Sequence, residues 1–201
     1  VQDARRHNVS VLPPDVNHSQ WQHTLQGQEQ HLRLGLRIIQ GLSRSGAERV
    51  HQNRPANGYQ SAAELRTRAG LNQSDMELLA GANAMPGFTR NRHQAYWQLL
   101  EHEEPAELFA NEAMTEYTPE PCHLLPEPTE GQNVLADYSS QGLTLQRHPL
   151  ALLREQGHLR HCLTADQLKA TRPGIPVQVA GLVTGRQRPG TASGVTFVTL
   201  E

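Results

Sequence analysis

Residues 38–50 read IIQGLSRSGAERV. Leu32, Leu36 and Ile39 recur at helical spacing and Leu42 follows; the pattern then breaks at "GLSRSG" and resumes at "AERVHQ". Gly41 and Ala47 lie six positions apart, with Leu42 directly after the glycine. A tight break of this form leaves backbone N–H groups free at the start of the second helix, where they and the helix dipole can hold a phosphate oxygen. Small residues suit the turn because a phosphate must come close to the backbone. An ordinary turn between two helices has the same outline. Ser43 stands where a second glycine would complete the phosphate-binding pattern; serine can still donate, but it disfavours a positive φ.

A second break, RAGLNQSDMELLAGANAM at residues 68–85, places Gly70-Leu71-Asn72 ahead of another helix, 29 residues after Gly41. Repetition of short helix, glycine turn and short helix predicts a tandem of helix-hairpin-helix motifs. Such a tandem grips both strands of a duplex across the minor groove without reading bases. The expected DNA contacts are Gly41, Leu42, Ser43, Arg44 and Ser45 in the first hairpin and Gly70, Leu71 and Asn72 in the second. Arg44, Arg49, Arg66 and Arg68 either add charge to that surface or form solvated helix faces. Ser61 to Glu64 and Ser74 to Glu77 each have the form of a capping box, predicting helix starts at both.

Outward from this core, residues 1–29 read as irregular: "VSVLPPDVNHS" is a short strand followed by Pro13-Pro14, which holds the backbone extended. Too little apolar material is present there for a packed unit of its own. Residues 1–100 carry 11 Arg against 7 acids; residues 101–140 carry 10 acids and no Lys or Arg; residues 141–201 carry 7 basic residues against 3 acids. Two mildly basic regions thus flank an acidic one, as expected if both flanks meet a polyanion and the intervening segment stays off it. Pro105, Pro119, Pro121, Pro126 and Pro128 mark residues 103–131 as an acidic, proline-rich linker. Residues 132–174 read as a helical connector, with a helix from about Pro149 and another from Thr164 or Asp166.

The chain closes on two β-rich runs, "IPVQVAGLVTGRQ" and "GVTFVTLE", joined through "RPGTAS". Arg186 and Arg188 sit near the loop, where a barrel that binds single strands carries its charge, and Phe197 reads either as a stacking platform or as core. The fold class expected is therefore α+β: a tandem helix-hairpin-helix domain at 30–102, the linker, the connector, and at 175–201 the first strands of a truncated OB barrel. Two cysteines are too few for a disulfide framework. "HLRHC" and "PCH" fit no common zinc spacing, so no metal site is expected. No apolar run approaches the roughly 20 residues of a membrane helix, and a cytoplasmic protein is the default.

"PPDVNHS", "RLGLRIIQGL", "YSSQGLTLQRHPL" and "RQRPGTASGVTFVTLE", in that order, resemble the C-terminal part of a bacterial DNA polymerase III alpha subunit. "RQRPGTASGVTF" is similar to the error-prone branch in particular. The resemblance implies that residues 1–29 end a fingers domain, that 30–102 hold the duplex leaving the active site, and that 175–201 open an OB barrel near the single-stranded template. It implies a nucleotidyltransferase acting in damage tolerance, whose catalytic aspartates and Mg2+ belong to a palm domain that nothing in this chain matches. The segment alone would then bind DNA without polymerising it. "EPAELFA" is similar to sliding-clamp peptides, with Leu108 and Phe109 as the partner-binding pair. A non-enzymatic single-strand-binding OB or repair adaptor module is the alternative, and a purely structural or partner-docking segment a third.

Overall fold

Strands from the first 33 residues form a small sheet, and the chain between two of them packs inward. In the computed structural model, which describes residues 1–28, 30–100, 126–191 and 194–201, α1 (Gln2–Arg6) leads to β1 (Val11–Leu12). β1 runs parallel to β3 (His31–Arg33), whose other edge takes β2 (Thr24–Gln26) antiparallel, with Leu25 opposite Leu32. Between β1 and β2 the chain dives into the interior: Pro14, Val16 and Ser19 are fully buried. Asp15 ties the turn, its carboxylate accepting the Asn17 N–H at 2.8 Å and its carbonyl the Ser19 N–H at 2.7 Å. The segment read as irregular is thus packed, because its partners lie far along the chain, where local composition cannot show them.

The helix expected through Leu32, Leu36 and Ile39 does not form. Leu32 lies in β3, and Leu36–Ile38 make a single 3-10 turn. The amides of Leu36 and Arg37 donate to the carbonyls of Gln20 and Trp21 rather than along a helix. Gly35 is wedged against the Trp21 and Gln22 backbone with no room for a Cβ, and its amide is taken by His23 Nδ1 at 3.0 Å. Leu34, Leu36 and Ile39 are nevertheless buried, so the apolar spacing serves the core without forming a helix.

Four helices then follow: α2 (Arg44–Gln52), α3 (Ala62–Ala69), α4 (Gln73–Gly81) and α5 (Arg92–Leu100). Ser61 caps α3 as its sequence predicts, accepting the Glu64 N–H at 3.1 Å. The box itself is only half made, since Glu64 accepts the Gln60 N–H at 2.9 Å rather than that of Ser61; the second box does not form, for Asn72 caps α4, Ser74 falls inside the first turn, and Glu77 accepts from Gln73 Nε2 at 3.0 Å. Asparagine at 72 wins because its carboxamide reaches the Asp75 amide from the residue just before the helix. A further helix, α6 (Glu130–Gln141), opens on a full Thr129–Gln132 capping box and closes on Gly142 with φ +72°. It packs on α4, burying Val134. The core comprises Leu36, Val50, Tyr59, Leu65, Met76, Leu79 and Met85, all fully buried.

The described residues fall into two compact units, Val1–Gln146 and Arg147–Glu201. The second holds α7 (Pro149–Glu155), capped by His148, and α8 (Ala165–Ala170), which opens on a Thr164–Gln167 capping box. Its β4 (Cys162–Leu163) runs parallel to β5 (Gln178–Val179), and β6 (Val183–Gln187) pairs antiparallel with β7 (Phe197–Leu200). These are two separate two-stranded sheets, so the expected barrel is not seen as a closed barrel among the described residues. Closure requires each strand to pair on both edges, and here each pairs on one. Among the described residues no helix is long and apolar enough to cross a membrane.

Candidate nucleic-acid interface

Two glycines in the left-handed region turn the chain where the sequence places the hairpins: Gly41 has φ +83° and Gly70 φ +56°. After each, a leucine (Leu42, Leu71) is buried in the core and pins the turn to it. A polar cap comes next. Ser43 Oγ accepts the Gly46 N–H at 3.0 Å at the start of α2, and Asn72 Oδ1 accepts the Asp75 N–H at 2.7 Å at the start of α4. Ser43 and Asn72 therefore hold equivalent positions, each capping the residue three further on. The Leu71 amide donates to the Arg66 carbonyl at 3.1 Å, closing α3 against the second turn. The amides of Arg44 and Ser45, and of Gln73 and Ser74, precede the hydrogen-bond ladder of their helices and head each positive helix end.

Asp75 joins the two turns. The residue is 3 % exposed; Oδ1 accepts the Ser43 N–H at 3.1 Å and Oδ2 the Ser43 hydroxyl at 2.8 Å. Gly46 makes the approach possible, since a Cβ there would lie 2.6 Å from Asp75 Oδ2. The Ser43 amide, expected to face a phosphate, is thus engaged within the protein.

The arginines divide by role. Arg49 donates from Nε to the Ala69 carbonyl at 2.8 Å and from Nη2 to the Gly70 carbonyl at 3.1 Å, fastening the end of α3. Arg44 pairs with Glu48 and Arg68 with Glu64, each at 2.8 Å and one helical turn apart, so both stay on the surface; Arg66 is engaged as well.

A polar frame behind the hairpins holds the link between α2 and α3. Asn17 donates to the Tyr59 carbonyl at 3.1 Å and accepts the Tyr59 amide at 2.7 Å. Tyr59 donates its hydroxyl to the Val50 carbonyl at 2.8 Å, and Arg54 binds the carbonyls of Val16 and Ser19. Burial raises the pKa of the Tyr59 hydroxyl, opposed by the charge of Arg54, and burial lowers that of Arg54 itself. Sequence reading missed Asp75, Asn17 and Arg54. One signal was available for Asp75: a glycine in the first turn of α2, three residues after Ser43, where the second hairpin carries an aspartate three residues after Asn72.

Elsewhere, Arg186 lies in β6 opposite Val198, exposed, and Arg188 follows the end of the strand. Leu108 and Phe109 lie outside the described residues. Among the described residues no group of three or more His, Cys, Asp and Glu could hold a metal ion. Asp15, Asp75 and Asp137 each serve internal hydrogen bonds, so this donor set does not fit Mg2+.

Residues 8–95 match a family described as the helix-hairpin-helix motif. That stretch takes in PPDVNHS, the small sheet, both glycine turns and the first four residues of α5. The whole chain is also 46% identical over 204 residues to an error-prone DNA polymerase of Pseudomonas paraeruginosa, covering 20% of that protein. The chain is related over its whole length to error-prone DNA polymerases. Others of that name from Idiomarina loihiensis and Methylococcus capsulatus are 46% and 41% identical, again across all of this chain and over 19% and 21% of their own length. The chain thus spans about a fifth of the error-prone polymerases it matches.

Proposed function

We propose that this segment holds DNA for an error-prone DNA polymerase acting in damage tolerance. The duplex product lies on the tandem hairpins of the first unit, and the single-stranded template passes the β6–β7 loop. The observation that carries the reading is the pair of glycine turns, Gly41–Ser43 and Gly70–Asn72, each opening a capped helix on one shared core. Contacts there are to phosphates and independent of base sequence. Nucleotidyl transfer and the Mg2+ it uses are assigned to a palm domain of the parent polymerase, Leu108 and Phe109 to a sliding clamp, and the cytoplasm is its compartment. The test is fluorescence anisotropy of the 201-residue chain on several unrelated duplexes at about 50 and 200 mM salt. Similar affinities that fall steeply with salt are expected. Strong sequence preference, or affinity indifferent to salt, overturns the reading.

A further inference from the structure

The two hairpins are built alike but are not equally open. At the first, a carboxylate from the second reaches across: Asp75 takes both the Ser43 amide and the Ser43 hydroxyl, from a position almost wholly buried. The reverse contact is missing. The residue equivalent to Asp75 in the first hairpin is Gly46, three after its cap, and it has no side chain to send back. Accordingly, the Asn72 amide has no acceptor among the described residues. The glycine is also what admits the aspartate, since any Cβ at 46 meets Asp75 Oδ2. A carboxylate at a helix N-terminus, accepting a cap amide and a hydroxyl, presents the oxygens that a phosphate presents there.

We propose that Asp75 is a positioning residue that fills the anion position of the first hairpin from inside the protein. The first hairpin is thereby committed to holding the second in place, and the tandem meets the DNA backbone asymmetrically. This rests on the DNA-holding reading above, and deepens it. Ser43 stands where glycine was expected because its hydroxyl is the second anchor for this internal anion. A phosphate cannot reach the Ser43 amide while Asp75 is present, since the space and the donor are both taken and a second negative charge would be repelled.

The experiment compares the full chain with D75A, which empties the position, and D75N, which keeps it filled by a side chain of the same shape. Inorganic phosphate is titrated while backbone amide shifts are followed by NMR, and duplex affinity is measured against salt. The Ser43 amide is expected to ignore phosphate in the wild type and in D75N and to shift in D75A. The salt slope of D75A is expected to steepen by about 0.9, one added phosphate, roughly a threefold greater loss between 50 and 200 mM. A Ser43 amide that responds in the wild type, or fails to respond in folded D75A, overturns the proposal. So does a D75A slope equal to the wild-type slope with lower thermal stability, which is what a merely structural role gives. If D75A does not fold, D75S, which also vacates the position, is read in the same way. Absence of salt-dependent duplex binding in every variant would instead sink the DNA-holding reading, and the Ser43 amide would still decide the role of Asp75.

Discussion

Asn17 is the residue on which the tandem's frame turns. It brackets both backbone groups of Tyr59, and it sits so close to Gly58, φ +73°, that a Cβ there would lie 3.0 Å from its carboxamide carbon. In the sequence it is one letter in a proline-rich stretch, and its partner is 42 positions away. Asn17→Ala removes two hydrogen bonds and leaves the Tyr59 amide without its acceptor. The expected loss is about 2–4 kcal/mol, read from the shift in urea midpoint. Asn17→Asp keeps the acceptor for the amide and loses the donor to the carbonyl, so it should cost less than alanine; equal losses would show that the bracket is not what matters. Gly41 and Gly70, by contrast, were legible, since a glycine that interrupts an apolar periodicity marks a turn whatever precedes it, and its tolerance of a positive φ is a property of the residue itself.

At the scale of elements, starts of helices were read well and their partners poorly. Ser61, Thr164 and Pro149 mark helix beginnings because capping involves groups within three or four residues. What joins α5 to α6 could not be read. Arg92, 5 % exposed, donates from Nη2 to Asp137 at 2.6 Å and from Nη1 to the Gly81 carbonyl at 3.0 Å, while Thr144 donates to the other Asp137 oxygen at 2.8 Å. Arg92 Nε has no partner among the described residues. A buried pair of this kind costs desolvation on both sides, so breaking it should be worse than replacing it. Arg92→Met alone is expected to destabilise by about 3–5 kcal/mol, because Asp137 stays buried with Thr144 as its remaining donor. Combining it with Asp137→Leu should recover much of that loss. Urea denaturation of the two singles and the double closes the cycle, and additive losses would refute the coupling.

For the molecule as a whole, charge sorts the chain more clearly than hydrophobicity does. The acidic run 101–140 falls within the first unit, between its basic residues 1–100 and the basic second unit, and in the second unit Arg186 and Arg188 lie at and just beyond the end of a strand with exposed neighbours. Changing both to alanine should lower the salt slope of single-strand binding by up to about two contacts and leave duplex affinity unchanged. If they serve structure instead, thermal stability falls and the slope stays put. The amino-acid sequence by itself determined the α+β character, the two glycine turns and the Ser61 cap, because each depends on a residue's own backbone preference or on neighbours within a turn, and its motifs carried the resemblance to error-prone polymerases. Only the tertiary structure decided that PPDVNHS is core, that Leu32–Ile39 is strand and 3-10 turn, and that Asp75 occupies the first hairpin. Those outcomes turn on hydrogen bonds between residues from 15 (Ser19 to Leu34) to 68 (Val16 to Ala84) positions apart, where burial of a polar group demands a partner and chain order does not name it.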